Sequence, residues 1–337
     1  MIRVALDAMG GDDAPGPEVG GAVLALRELP PDFELILVGR TADIEAHLAQ
    51  HEGVDRSRLR IVEAPDVITM SDKPLSAIRK KPNSSLVVAL NLHRTNEVDA
   101  VISAGNTGAT LAGATVLLGL HAGVDRAAVA SPFPLVDGTV LVVDAGANVD
   151  CTSKELVNFA RLGTIYMRDL LGVAEPKVGL LNVGEEDEKG NVVVRETHQL
   201  LKRQPRLNYV GNIEGRDIVV PHPTHGQVDI VVCDGFVGNA VLKFYESMGS
   251  LLARLIRARS PGLLTSPDLP PLVRFLDYSN YGGAPLLGVR GVAIIEHGAS
   301  PPSAIRSAIA KAVMSVQRGL SEHTAAEMAQ LESPAST

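Results

Sequence analysis

The stretch Val101-Ile-Ser-Ala-Gly-Asn-Thr-Gly-Ala-Thr110 holds the residues best suited to chemistry. A β-rich run ends at Ser103, two glycines bracket Asn106 and Thr107, and a run of small residues from Ala109 to Leu120 has helical character. A strand that turns through glycines into a helix leaves backbone N–H groups without helical partners. Those donors and the positive helix end attract an anion, most often phosphate. Gly105 and Gly108 allow close backbone approach, and Ser103, Asn106 and Thr107 add side-chain hydrogen bonds. The same spacing also suits a tight turn that binds nothing, because it is neither a P-loop nor a dinucleotide fingerprint.

Other apolar runs end in comparable clusters. Ile2 to Leu6 reads as a buried strand and leads into Asp7-Ala-Met-Gly10-Gly11-Asp12-Asp13. Open α/β sheets place ligands at such strand ends. Asp7 is read as a site residue and Asp13 as the cap of a helix from about Pro17 to Leu29. Thr139 to Asp144 runs into Ala-Gly-Ala-Asn148, and Asp229 to Cys233 into Asp234-Gly-Phe-Val-Gly238-Asn239. Asp144, Asn148 and Asp234 are site candidates. Thr152-Ser-Lys-Glu155 is a capping box that opens a helix ending before Gly172, so Thr152 and Glu155 are structural. Lys177 to Val183 precedes Glu185 in an acidic run, which fits either a solvated loop or a carboxylate facing the same crevice.

Between Met70 and Ser85, four cations (Lys73, Arg79, Lys80 and Lys81) fall within nine residues beside several hydroxyls. This is either a solvated basic loop or a clamp for an anionic group, with Arg suited to bidentate contact and Lys to a point charge. Pro221-His-Pro-Thr-His225 brings two histidines close, but a metal needs more ligands, and no metal site is expected.

The elements that must position these clusters alternate from the start. Strands are expected at Phe33–Gly39 and Leu59–Ala64, with a helix over Thr41–Gln50 between them, which predicts a parallel sheet with right-handed crossovers. Helices are also expected over Val192–Leu201, Ala240–Arg259 and Ser303–Leu320, and a last strand over Gly291–Glu296. Residues 1–320 are read as a single α/β domain and 321–337 as a frayed or disordered tail.

The 337 residues can bury a large core. Aromatics are 3% with no Trp, which argues against stacking on bases or sugars. A net charge of −8 argues against nucleic acid as a partner. Cys151 and Cys233 lie far apart outside any metal motif, as expected in a reduced, cytosolic compartment. The first residues lack signal-peptide architecture, and no apolar run is long enough for a transmembrane helix.

Taken in order, the motifs Leu6-to-Asp12, Ser103-to-Gly108, Asp144-to-Asp150, Asn182-to-Glu186, Gly211-to-Gly215 and Cys233-to-Asn239 resemble those of the bacterial phosphate acyltransferase family of phospholipid synthesis. The resemblance runs from Met1 to about Leu320. It implies transfer of a long-chain acyl group from acyl-ACP to inorganic phosphate, giving acyl phosphate for glycerol-3-phosphate acyltransferase, the enzyme downstream. It implies an isocitrate/isopropylmalate dehydrogenase-like fold, an open and mostly parallel sheet with flanking helices. It also implies a homodimer, and a protruding helical tip at about 251–283 that touches the cytoplasmic face of the membrane peripherally.

On this reading no cofactor is needed. Ser103, Gly105, Asn106, Thr107 and Gly108 hold phosphate or the developing oxyanion, with Lys73, Arg79 and Lys81 as charge partners. Asp12, Asp144 and Asp234 order the site or handle protons, and Asp7, Gly10, Gly11, Asn148, Glu185, Gly238 and Asn239 complete it. Two alternatives are a dehydrogenase of the same fold, which would need a dinucleotide fingerprint the chain lacks, and a non-catalytic membrane-surface scaffold using Arg254 to Leu276.

Overall fold

The computed structural model describes residues 1–259 and 282–332. Its strands are β1 (Ile2–Asp7), β2 (Phe33–Gly39), β3 (Leu59–Glu63), β4 (Ala100–Ser103), β5 (Ala128–Leu135), β6 (Gly138–Val143), β7 (Lys177–Leu181), β8 (Asn208–Ile213), β9 (Ile230–Val232), β10 (Ala284–Leu287) and β11 (Val292–Ile295). Its helices are α1 (Gly16–Glu28), α2 (Thr41–Leu48), α3 (Pro74–Lys80), α4 (Ser85–Arg94), α5 (Thr107–Gly113), α6 (Ser153–Leu171), α7 (Val192–Leu201), α8 (Gly235–Arg259), α9 (Pro302–Gln317) and α10 (Leu320–Glu332).

Where one domain over 1–320 was expected, the chain gathers into two compact units. Among the described residues, the first comprises 1–127, 168–172 and 282–332, and the second 128–167 and 173–259. The chain leaves the first unit and later returns to it, so no single linker marks the division in sequence.

In the first unit the strand order is β3-β2-β1-β4-β11-β10. All neighbours are parallel except β10, which runs antiparallel to β11. Continuous apolar runs such as Val4–Leu6 and Leu35–Val38 are buried, as parallel strands covered on both faces require. The core forms where α1 and α9 lay Val19, Val23, Ile305 and Ile309 over β1, β2 and β4. In the second unit the order is β5-β6-β9-β7-β8, with β5 and β6 antiparallel and the rest parallel. Phe133, Val140, Ile213 and Val231 anchor its core.

The sequence reading misses β10 and α3, and the tail is corrected. Residues 320–332 form a helix that buries Met328 and Thr324, so this part of the expected frayed segment is held by packing. The helical tip expected at about 251–283 lies largely outside the described residues. Only the end of α8 and Gly282–Gly283 fall within them. Among the described residues, no helix is long and apolar enough to cross a membrane.

Candidate functional site

In the first unit, parallel pairing places Asp7, the last residue of β1, beside Ser103, the last of β4. The Ser103 hydroxyl donates to Asp7 Oδ2 at 2.7 Å, and Oδ1 accepts from the Met9 amide at 3.2 Å. The Ser85 hydroxyl, at the start of α4, bonds the same carboxylate. Burial raises the Asp7 pKa, and these hydrogen bonds only partly offset it. The two loops beyond the strands touch backbone to backbone. A Cβ on Gly10 would stand 2.8 Å from the Gly105 nitrogen and 2.8 Å from Asp7 Oδ2, so only glycine fits. The Gly105 amide donates to Ser103 Oγ at 3.1 Å.

Asn106 is the N-cap of α5. Its Oδ1 accepts from the Ala109 amide at 3.0 Å, and its Nδ2 donates to the carbonyls of Thr69, Met70 and Asp72, each at 3.2 Å. The side chain is thus engaged in tying the loop before α3 to the start of α5. Lys81 is engaged too, with Nζ 2.6 Å from Asp72 Oδ2 and 2.9 Å from the Val67 carbonyl. That pairing holds the Asp72 carboxyl down at about 2. Lys73, Arg79 and Thr107 are exposed, and Lys73 stands at the N-cap position of α3, without a side-chain bond, next to Pro74, which packs on Gly108. The amides of Thr107 and Gly108 lie in the first turn of α5 and have no intrahelical acceptor. Helical structure continues through a wider turn to Leu118.

Asp12 is exposed, and its amide donates to the Gly298 carbonyl. Asp13 does not cap α1 with its side chain. Pro15 holds that position without a side-chain bond, and Pro17 supplies the fixed φ of the first turn. The Gly11 amide donates instead to Glu18 Oε1 at 3.0 Å. Glu18 is 1% exposed, its other oxygen has no hydrogen-bond partner among the described residues, and burial pushes its pKa up to about 7. A buried carboxylate and a buried lysine, Glu296 and Lys311, attract each other in the same unit. Glu296 follows β11, donates its amide to the Ser103 carbonyl, and accepts from Ser300. Lys311 of α9 donates to the Gly283 carbonyl at 2.7 Å. Burial raises Glu296 and lowers Lys311, while their mutual attraction opposes both shifts. Glu18 and Lys311 were missed because each lies inside a helical pattern that reads as core. Glu296 carried a signal, a carboxylate just past a strand.

In the second unit Asp144 is fully buried. Its Oδ1 accepts from the amides of Val129, Gly146 and Ala147, and its Oδ2 from the amide and side chain of Asn148. Burial raises its pKa against these bonds. Asp234 accepts from the Val237 amide at 2.9 Å and so caps α8. Gly238 lies so close to the Asp144 carbonyl that a Cβ would stand 1.8 Å from it, and Asn239 packs beside Gly146. Asp144, Asn148, Asp234, Gly238 and Asn239 therefore form one loop junction.

Glu185 stands apart from that junction. It approaches His222 Nε2 at 3.2 Å and Arg216 at 3.5 Å, with Asp217 beside them. Glu185, Asp217 and His222 lie close enough together to hold a metal ion. His222 Nδ1, however, accepts from the amides of Thr224 and His225, which puts the ring proton on Nε2, the atom facing Glu185. A metal would need the lone pair at that nitrogen, so the residues do not suit one.

A family model described as fatty acid synthesis protein matches residues 2–323. A phosphate acyltransferase from Heliobacterium modesticaldum is 45% identical over 94% of this chain and 95% of its own length. One from Thermosynechococcus vestitus is 44% identical over 95% and 93%. The chain belongs to the phosphate acyltransferase family. Among solved structures, a phosphotransacetylase from Streptococcus pyogenes has the same fold, at a TM-score of 0.65 and 16% identity over 94% of each chain. A 4-hydroxythreonine-4-phosphate dehydrogenase from Salmonella typhimurium matches at 0.54 and 13%, over 93% of this chain and 99% of its own. The fold is thus shared with dehydrogenases, while the sequence places the chain among the phosphate acyltransferases.

Proposed function

We propose that this family member transfers a long-chain acyl group from the thioester of acyl-ACP to inorganic phosphate. A phosphate oxygen attacks the thioester carbonyl, the new C–O bond forms, the C–S bond breaks, and the products are acyl phosphate and the free carrier thiol. Phosphate is anionic near neutral pH, so the site's work is to bind it, aim it and stabilise the oxyanion. The carrying observation is the junction of Gly10 with Gly105, which fixes the loop from Ser103 to Gly108 against the end of β1. In this reading the amides at the start of α5 and the Thr107 hydroxyl take the anion, and exposed Lys73 and Arg79 add charge. Asn106 and Lys81 act as positioning residues, since their polar atoms are already engaged. Asp12, exposed on the loop after β1, is the candidate for proton handling. Asp144 and Asp234 order their own loops.

The exposed Leu251, Leu252 and Leu255 on α8, in a segment that also carries Arg254, Arg257 and Arg259, support peripheral contact with the inner membrane face. A homodimer, a cytoplasmic location and delivery of acyl phosphate to glycerol-3-phosphate acyltransferase complete the proposal.

The test is thiol release from palmitoyl-ACP with and without inorganic phosphate, with acyl phosphate followed as product. Phosphate-dependent release with acyl phosphate formed is expected. Release that ignores phosphate would make the protein a thioesterase and end this reading.

A further inference from the structure

A cavity of about 370 Å³ opens in the first unit at the N-terminal ends of β4 and β11, the edge opposite Ser103 and Glu296. No step of acyl transfer uses it. Its volume lies at the lower end of the range that small-molecule clefts occupy. Val98, Leu118 and Val316 supply apolar wall, and Arg94 and Arg290 supply charge.

The wall is tightly built. The Val292 amide donates to His93 Nε2 at 3.1 Å, and the Gly291 amide to Ser321 Oγ at 2.9 Å. Ser321 also meets His121 Nε2 at 3.3 Å. Burial lowers the His93 pKa and keeps that ring neutral. Asp99 is already neutralised by Arg3, which reaches it with its amide, Nε and a terminal nitrogen at 2.8, 3.1 and 2.7 Å. The two other guanidiniums are committed only at Nε, Arg94 to Asn91 Oδ1 and Arg290 to the Leu120 carbonyl. Their terminal nitrogens have no partner among the described residues. The carbonyls of Asn91, His93 and Leu92 in the last turn of α4 accept from the amides of Thr95, Asn96 and Glu97, while α10 brings its N-terminal turn to the cavity. One carboxylate, Glu322, stands against this cationic balance.

We propose that this cavity is a second, non-catalytic site for a small organic oxyanion. Arg94 and Arg290 hold a phosphate or carboxylate head, and the short carbon body lies against Val98, Leu118 and Val316. Guanidinium forks fit either head, and the apolar wall favours an organic ligand over a bare inorganic ion.

The test is calorimetric titration of the full chain with butyl phosphate and, separately, with hexanoate. The wild type binds at least one of the two, and the preferred probe identifies the head group. Affinity falls about tenfold or more in Arg94→Gln/Arg290→Gln and by a smaller factor in Arg94→Gln, an exposed change that leaves folding intact. It is unchanged in Asn106→Ala, which alters the catalytic loop. A crystal soaked with the bound probe shows its head between the two arginines. Four results would overturn the proposal: binding of both probes weaker than about 1 mM, equal affinity in the double variant, loss of binding in Asn106→Ala alone, or a soaked probe found only at the α5 turn.

Discussion

Asp7 and Asp144 are both buried carboxylates at the end of a strand, and their surroundings separate two kinds of buried acid. Asp144 meets five donors within its own unit, four of them backbone amides. Asp7 meets one backbone amide and the hydroxyls of Ser103 and Ser85. A carboxylate saturated by amides is an architectural knot, because those donors would be orphaned without it. A carboxylate held by hydroxyls fixes the orientation of side chains that border a loop with free amides. The sequence motifs look alike, and the difference lies in what each acid is bonded to.

The largest effect that sharpens this contrast is expected at Asp144. Asp144→Ala removes the acceptor of five hydrogen bonds, four of them from backbone amides, in a closed loop junction, and the loss should be roughly 3–5 kcal/mol. Urea denaturation should show a large drop in midpoint or too little folded protein to measure. Asp7→Asn keeps an acceptor for Ser103 and should lose less stability, while acyl phosphate formation falls. Equal stability losses at the two positions would erase the distinction.

Glu18 gives the next effect, through pH. Its folded pKa of about 7 stands above the ordinary 4.5. Between those values the folded state binds more protons than the unfolded state, so stability falls as pH rises through that window and levels off above it. The full span corresponds to roughly 3 kcal/mol. Unfolding measured from pH 4.5 to 8 should show this decline, and Glu18→Gln should make it shallower, with Glu296 supplying a decline of its own over the same window. An identical slope in the variant would remove Glu18 as a source.

Much of this architecture could be read along the chain. The parallel strands of the first unit follow from apolar runs bounded by glycine and polar residues. The Thr152–Glu155 capping box forms as its spacing requires, with bonds of 2.7 and 3.3 Å. The strand-end clusters also stand where an open α/β sheet places them. What could not be read is pairing across distance. Asn106 reaches carbonyls 34 to 37 residues away, and Lys81 is claimed by Asp72. A basic cluster thus reads as a clamp until one of its cations proves to be engaged. Lys311 sits in an apolar helix, and its partners among the described residues, Gly283 and Glu296, are distant in sequence. β10 is short, contains Pro285, and runs against its neighbour, so neither length nor periodicity announces it.

Asn106→Ala divides capping from positioning. Loss of the N-cap bond should cost about 1 kcal/mol of stability. Release of the Thr69–Asp72 loop should lower acyl phosphate formation by roughly 100-fold, through misplacement of the α5 turn. Asn106→Asp keeps the cap acceptor but sets a carboxylate oxygen against the three carbonyls that Nδ2 served, so it should recover at most the cap's share of stability and none of the rate. Recovery of both would show that capping alone matters.

The smallest expected effect concerns Glu185, Asp217 and His222, which satisfy the distances of a metal site yet differ from one in proton placement. Two backbone amides point at His222 Nδ1, and a neutral ring then carries its hydrogen on Nε2, toward Glu185. Binding a cation through Nε2 would force a proton onto Nδ1, against two donors already there. Arg216 adds a positive charge within 3.5 Å of Glu185. Dialysis against EDTA, or addition of zinc, should therefore leave the melting temperature and the acyl transfer rate unchanged within error. A zinc-dependent rise in melting temperature that His222→Asn abolishes would show that the cluster rearranges to bind the ion, and that its hydrogen bonds, unlike those of Asp144, are not fixed by the fold.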